Sequence, residues 1–573
     1  MLAGIWRSKK PFGYQQERGA AILLSVVFIA LGIWYSLRIP PFEVLGETTS
    51  YERGLAWAQG KGSSVLWKAP PLHSLLGAGI LKTVHLNLDI PPFERNPFWA
   101  GPGTSANRNA VLHLNDGPPF QGHLLALHLW RLVSVGCALV AWLLNYLSLR
   151  RIFPHRSWLA LGNMLLLALN PQYLFLGSGA IPEALLWMLC ALALYEAFRV
   201  LEGRGLSLGW SLALGATVGL ASLAGFLGVL LLPFVFALYL VCWVVLKVSL
   251  KRLWRPALIS LGMALLIGGW WYVGWIIAGE RSAGKEWALH SVRGWLLSFW
   301  GLFGWGNVLP GEAYEIVVWG LFLLSLGGWG LVELHWYWRK KQPQVHGRVE
   351  AVLLFLWMEL VLLWLLWRLA YGRGMLGWML FPAGALLGFA FYRGIVAWLP
   401  QRWWRFSFGG LAVLLFLMAL YVPLGCFSKA YALPPRVSLT GVPEGIHRVE
   451  VTFGGRIFLL GYQEEDPSVE RKKLVFYWVG LRRMSQDYSL HLRVLDVEGH
   501  LLKEFATYPG EGMYPTRLWV PGEVIVDRYV LSWLSELPRG AKIELAVRRG
   551  PDGGFLPAFN AQGKRVGDWV PLE

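Results

Sequence analysis

The chain has few cysteines, few charges and little acid. Of its 573 residues only four are cysteine, and Cys137, Cys190, Cys242 and Cys426 all fall within or at the edge of apolar runs. Cysteines so placed are small core residues, which excludes a disulfide framework. No Walker loop and no Gly-rich dinucleotide fingerprint occurs, so nothing points to nucleotide chemistry. His73, His85, His113, His123 and His128 crowd one region, but none stands at a ligand spacing from a second strong ligand. His123 and His128 are five apart, out of line on a helix, so no metal site is expected. There is no internal repeat and no low-complexity linker. The first apolar run, GAAILLSVVFIALGIWYSL, ends in Arg38 without a small-residue cleavage pattern, and reads as a retained span.

Apolar residues are abundant. They make up 55% of the chain, charged residues only 15%, and the mean hydropathy is +0.46. Several runs reach the roughly 20 residues needed to cross a hydrocarbon core. The pattern predicts a polytopic α-helical membrane protein. Its spans are the first run and segments near 122–149, 157–176, 181–201, 206–224, 226–247, 256–278, 313–335, 350–369, 377–398 and 407–427, about eleven in all. The basic clusters RRIFPHR, FRVLEGR, KVSLKRLWR, RKKQPQVHGR and PQRWWR all fall on the side of the N-terminus. By the positive-inside rule that side is cytoplasmic, which places the protein in the plasma (inner) membrane. The net charge of +17 is divided among these short loops, so no nucleic-acid partner is implied. Membrane lipid is the expected partner.

On the outer side this topology leaves a long loop at 40–121, a second loop at 279–312 and the whole tail. The transmembrane domain then covers 1–429, and 430–573 is a separate extracytoplasmic unit. There, Leu490, Leu492 and Val494 recur at every second position, as do Ile543, Leu545 and Val547. Period-two runs between turn signals predict an all-β sandwich with one buried face per sheet. In the first loop, Leu72, Leu75, Leu76, Gly79 and Ile80 share one face at helical spacing, as in a helix lying along the bilayer interface beside Trp57 and Trp67. Loops as long as 40–121 are usually functional. The second loop is dense in aromatics, which suit a headgroup belt and also suit sugars.

The order of APPLHSLL, NPFWAGPGTSANRNAVLHL, LALHLWRLVSV, LALNPQYLFLGSGAIPEAL, GWWYV, SFWGLFGWGNV, WMLFPAGALL and the tail MYPTRLWVPGEVIVDRYVL resembles the GT-C superfamily of membrane glycosyltransferases. The likeness is to the bacterial group related to protein O-mannosyltransferases and the lipid A aminoarabinose transferase, in the form with a C-terminal β-sandwich. It runs nearly end to end. It implies an enzyme that takes a sugar from a polyprenyl-phosphate donor and gives it, with inversion, to a glycan or protein acceptor outside. The family's base is an acid in the first outer loop, usually the first member of an Asp-Glu pair, and basic residues near later spans hold the lipid phosphate. Aligned so, Gly46 stands where the Asp would be and Glu47 remains as the candidate base.

Other polar positions of the family pattern are altered. Glu183 in AIPEA is a second candidate acid, LASLAGFLG lacks a Lys, Gly274 and Trp275 replace an Arg-Asn, and Trp378 replaces an Arg. Arg373 just upstream is in place to substitute for that Arg as a donor-phosphate ligand. His73, Asn107, Arg108 and His113 are further candidates for substrate binding. Two readings therefore stand: a transferase with a rearranged site, and a catalytically degenerate scaffold or glycan-binding subunit. A transporter would call for broken helices and paired repeats that the sequence does not show. Each residue also has a purely structural reading: a helix-start acid for Glu47 and Glu183, an interface anchor for Arg131 and Arg373.

Overall fold

The computed structural model describes residues 14–84, 87–104, 107–114, 116–153, 157–279, 291–339, 348–371, 375–465, 473–531, 537–538 and 540–572. Helix α1 (Tyr14–Arg38) leads into the first loop. The loop carries α2 (Glu47–Ala58), α3 (Leu72–Thr83) and a short ribbon of β1 (Glu94–Arg95) with β2 (Val111–Leu112). The bundle continues with α4 (Gly122–Ile152), α5 (Ser157–Ala168), α6 (Pro171–Gly177), α7 (Glu183–Glu202), α8 (Leu208–Ala224), α9 (Leu231–Val244), α10 (Leu250–Ala264) and α11 (Trp270–Ala278). After α12 (Val292–Trp300) in the second loop come α13 (Glu312–Arg339), α14 (Arg348–Ala370), α15 (Gly384–Ala397) and α16 (Trp404–Tyr421).

Among the described residues nine helical stretches are long and apolar enough to cross a membrane. The two remaining expected spans differ from the rest. Leu208–Ala224 is a shorter apolar helix of 17 residues. The stretch at 157–176 is broken in two at Asn170-Pro171, because proline cannot donate to the ladder and starts a new helix instead. Asn170 caps the second piece: its Oδ1 accepts the N–H groups of Gln172 and Tyr173 at 2.8 and 3.0 Å. Its Nδ2 donates to the Phe299 carbonyl at 3.1 Å, and the Gln172 side chain accepts the Leu302 N–H at 2.7 Å. The break is thus the point where the second loop is fastened to the bundle.

The first loop folds around a core of Phe42, Tyr51, Leu55, Leu81 and Val111, closed by Trp130 of α4. Left-handed Gly46 (φ 85) turns the chain into α2. On α3, Leu75 and Leu76 are exposed while His73, Ser74 and Gly77 face inward. The apolar stripe read from the sequence is therefore the outward face, as an interfacial helix requires. Gly77 permits the closest approach: a Cβ there would stand 1.8 Å from the Trp130 indole.

The tail is a sandwich of two antiparallel sheets. The larger has the order β12 (Arg565–Gly567), β11 (Ala558–Phe559), β4 (His447–Phe453), β5 (Ile457–Glu465), β6 (Lys473–Gly480), β9 (Val524–Val530), β3 (Arg436–Val437). The smaller has the order β13 (Val570–Leu572), β10 (Lys542–Arg549), β7 (Tyr488–Leu495), β8 (Leu501–Thr507). The two alternating runs found in the sequence pair directly, Leu490 with Val547, Leu492 with Leu545 and Val494 with Ile543. Residues of both sheets, among them Phe453, Leu459, Leu492 and Leu545, share one core. The single-face expectation fails for the larger sheet. Its central strand β6 is buried almost throughout, and a second apolar cluster of Ile446, Val475, Tyr477 and Val524 lies on its other face. A run such as LVFYWV that is apolar at successive positions marks a strand covered on both sides.

Candidate functional site

A cavity of about 250 Å³ opens where the first loop meets the bundle. Its polar lining comes from Ser50 and Arg53 on α2, His73 and Ser74 on α3, Glu183 at the start of α7 and Arg368 in the last turn of α14. Trp187, Phe226, Trp364 and Trp378 supply the apolar wall. The start of α7, the turn from α8 to α9 and the end of α14 all lie at the end of the bundle that carries the first loop and the sandwich, since successive spans alternate in direction.

Glu183 stands at the N-terminus of its helix, where the partial positive charge favours a carboxylate. Its Oε2 is buried and has no hydrogen-bond partner among the described residues. A buried acceptor left open is a position where a ligand or water donor fits. His73 is held in one tautomer. The Trp130 Nε1–H donates to its Nε2 at 3.0 Å, so the ring proton belongs on Nδ1. Burial, aided by the nearby Arg53 charge, pushes His73 down to about 3, and the ring is a neutral donor at any physiological pH. Burial also draws Arg53 below its ordinary value, with Glu52 opposing. Arg368 lies over the Trp364 ring at 5.1 Å. The cavity thus combines two guanidinium groups, an unshared carboxylate oxygen and a neutral imidazole donor against aromatic carbon. That set suits a ligand with an anionic head, hydroxyl groups and an apolar tail.

Glu47 does not line the cavity. It is fully buried and paired with Arg131, which is equally buried. Arg131 Nε and Nη2 donate to Glu47 Oε1 and Oε2 at 2.8 and 2.7 Å. The sequence expectation was an acid facing an acceptor; in the structure both oxygens are committed to this bidentate pair. Arg131 is likewise no interface anchor.

Asn107, Arg108 and His113 lie at the junction of the first loop with the sandwich and not in the cavity. Asn107 Nδ2 donates to the Ala506 carbonyl at 2.8 Å, and Arg108 Nε to Glu511 Oε2 at 2.8 Å. The His113 N–H donates to the Gly512 carbonyl at 3.0 Å. The His113 ring bridges Glu43, at 3.2 Å, and Asp116. Arg373 falls outside the described residues. Glu183 and His73 are the two expected site residues that the cavity brings together.

Arg53 and Arg368 escaped sequence reading as site residues, although each left a signal. Arg53 follows Glu47 on one helix, and Arg368 is a cation at the span end opposite the basic clusters. One further group, Asp496, Glu498 and His500, sits on the exposed β7–β8 hairpin with ligand atoms within 4.8 Å of one another. There Asp496 Oδ1 already accepts the N–H groups of Glu498 and His500, which closes the turn.

No family model matches the sequence, and no curated protein matches it. Among solved structures the chain is similar to ArnT from Cupriavidus metallidurans bound to undecaprenyl phosphate, at 15% identity and a TM-score of 0.40, over 72% of each chain. It is also similar to the S. cerevisiae protein O-mannosyltransferase complex bound to the sugar donor (18% identity, TM-score 0.33), covering 49% of this chain and 35% of that one. A third match is the archaeal oligosaccharyltransferase AglB from Archaeoglobus fulgidus, in complex with an inhibitory peptide and a dolichol-phosphate. It has 15% identity and a TM-score of 0.23, over 71% of this chain and 51% of that one. The chain therefore spans about a third of the yeast protein and half of the archaeal one. Similarity at this level bears on no individual residue of the site.

Proposed function

We propose that the chain is a membrane glycosyltransferase that moves a sugar from a polyprenyl-phosphate donor to an acceptor on the side of the sandwich. The observation that carries this reading is the cavity itself, where Arg53, Arg368, His73 and the open oxygen of Glu183 meet over an aromatic wall at the ends of membrane-spanning helices. Arg53 and Arg368 hold the donor phosphate, for which guanidinium groups are the preferred ligands. The polyprenyl chain leaves past Phe226 toward the lipid. Glu183 accepts the proton of the acceptor hydroxyl as that oxygen bonds to the anomeric carbon. The bond from that carbon to the phosphate oxygen breaks, the configuration inverts, and polyprenyl phosphate departs with its charge held by the two arginines. His73 donates its Nδ1–H to a sugar hydroxyl or phosphate oxygen without changing protonation.

A second reading, a catalytically degenerate scaffold or glycan-binding subunit, draws on Glu47, whose carboxylate is locked away from any acceptor. The test incubates the detergent-purified chain with a panel of polyprenyl-phosphate sugars and follows donor consumption in the parent and in Glu183→Gln. Removing a positioned general base should lower turnover about a hundred- to ten-thousand-fold. Turnover indifferent to Glu183→Gln discards the base assigned here. Donor binding without turnover, lost in Arg53→Ala, supports the scaffold.

A further inference from the structure

Glu47 and Arg131 form a buried knot with more partners than an ion pair needs. Every N–H direction of the Arg131 guanidinium is used. Beyond its two bonds to Glu47, Nη1 donates to the carbonyls of Ser36 and Ile39 at 2.9 and 2.8 Å, and Nη2 to Pro40 at 2.9 Å. Ser36 lies in the last turn of α1, where a helix leaves acceptors open, and Ile39 and Pro40 follow α1 directly. Glu47 Oε1 accepts one more bond, from the Ala180 N–H at 2.8 Å. Ala180 lies in the turn between α6 and α7, three residues before Glu183. The same turn is pressed against the first loop at Gly179, where a Cβ would meet Val44 at 2.9 Å. The Ser178 hydroxyl ties it to α1 by donating to the Gly32 carbonyl at 3.0 Å.

The knot therefore joins both walls of the cavity. One wall is α2, which begins at Glu47 and carries Ser50 and Arg53 into the lining. The other is the start of α7, which carries Pro182 and Glu183. We infer that Glu47 and Arg131 are positioning residues that fix the separation and orientation of Arg53 and Glu183, and that Glu47 takes no proton. The inference rests on the cavity reading only in calling those two side chains the working ones. A buried ion pair is weak evidence for stability, since an apolar replacement of the pair often does as well, and its value lies in holding one arrangement. Here the carbonyls and the Ala180 N–H around it require directional hydrogen-bond partners, which apolar side chains cannot supply.

The test needs no substrate. The purified full chain is treated with a water-soluble carbodiimide and an amine, and modified carboxyl groups are mapped by mass spectrometry in the parent, Glu47→Gln and Glu47→Asp. In the parent, Glu183 should label and Glu47 should label at least about a hundredfold more slowly, because reaching it requires local opening of a buried pair. Glu47→Gln removes the charge and one of the two bonds from Arg131, which loosens the anchor of the α6–α7 turn, and Glu183 labelling should change severalfold. Glu47→Asp keeps the charge and should restore the parent rate, a rescue that a role in bulk packing would not produce. Labelling of Glu47 in the parent as fast as Glu183 overturns the inference, and so does folded Glu47→Gln with Glu183 labelling unchanged. Should Glu47→Gln not fold, the parent comparison and Glu47→Asp decide the matter alone. Binding of polyprenyl phosphate, measured in parallel, judges the cavity reading separately: no binding in the parent sinks that reading and leaves the labelling result standing.

Discussion

The side chains of Glu43, His113 and Asp116 tie the end of the first span to the first loop, and the His113 backbone N–H carries the link on to the sandwich. Glu43 is fully buried just after α1, and its Oε1 accepts the N–H groups of Ala110 and Val111 as well as the His113 ring. Burial raises Glu43, while the His113 and backbone bonds pull it back. Burial alone would lower His113, but the bonds and charges of Asp116 and Glu43 outweigh it and raise the ring to about 9. A histidine raised above its unfolded value of 6.5 stabilises the folded state fully below that pH. The contribution fades as pH climbs through about 9. At about 1.4 kcal/mol per unit the shift corresponds to roughly 3 kcal/mol. Asp527, raised to about 7 chiefly by burial, titrates at the lower edge of this window, and it does so in parent and variant alike. Between pH 7 and 10 the melting temperature of the parent should fall more than that of His113→Gln. Parallel curves for the two proteins would contradict the link.

At the scale of elements, two contacts decide whether the cavity walls stand where they do. The first is α3 on α4. Gly77 lies against Trp130, and the Trp130 indole holds His73. Gly77→Ala must push the ring aside, which should cost about 1–3 kcal/mol and weaken ligand binding together with stability in denaturant titration. The second is the break between α5 and α6. Asn170→Ala removes the cap of α6 and the bond to the second loop, with an expected loss of about 1–2 kcal/mol. A thermal shift indistinguishable from the parent would show that Pro171 alone sets the break. Elements were legible where the signal is local, as alternation marks β7 and β10, whereas the break at Asn170-Pro171 escaped sequence reading because 157–176 reads as one apolar run. The burial of Glu47 was not legible either, because Arg131 is 84 positions away and nothing near Glu47 announces it. For the same reason Asn107 and His113 read as site residues. Their partners, Ala506 and Gly512, lie in the tail, and a polar loop residue looks alike whether it meets a ligand or another domain.

The whole molecule joins a helical bundle, a first loop and a sandwich held to that loop by Arg108–Glu511 and Arg517–Glu94. The sandwich buries aromatic and aliphatic residues of both sheets in one core, so residues 434–573 expressed alone should be soluble with a strand-dominated circular dichroism spectrum. A largely helical or unfolded product would contradict that independence. From the five basic clusters we propose that this domain lies outside, and a reporter fused after Glu573 should then be active only on the outer side. The central claim concerns the cavity, and a photoactivatable polyprenyl phosphate tests it most directly. Cross-linked to the full chain in detergent or lipid and mapped by mass spectrometry, it should mark the peptides bearing Arg53, Phe226 and Trp378, with marking lost under excess unlabelled polyprenyl phosphate and in Arg53→Ala. Specific marking confined to other parts of the bundle, with these three peptides untouched, would contradict the assignment of the donor site.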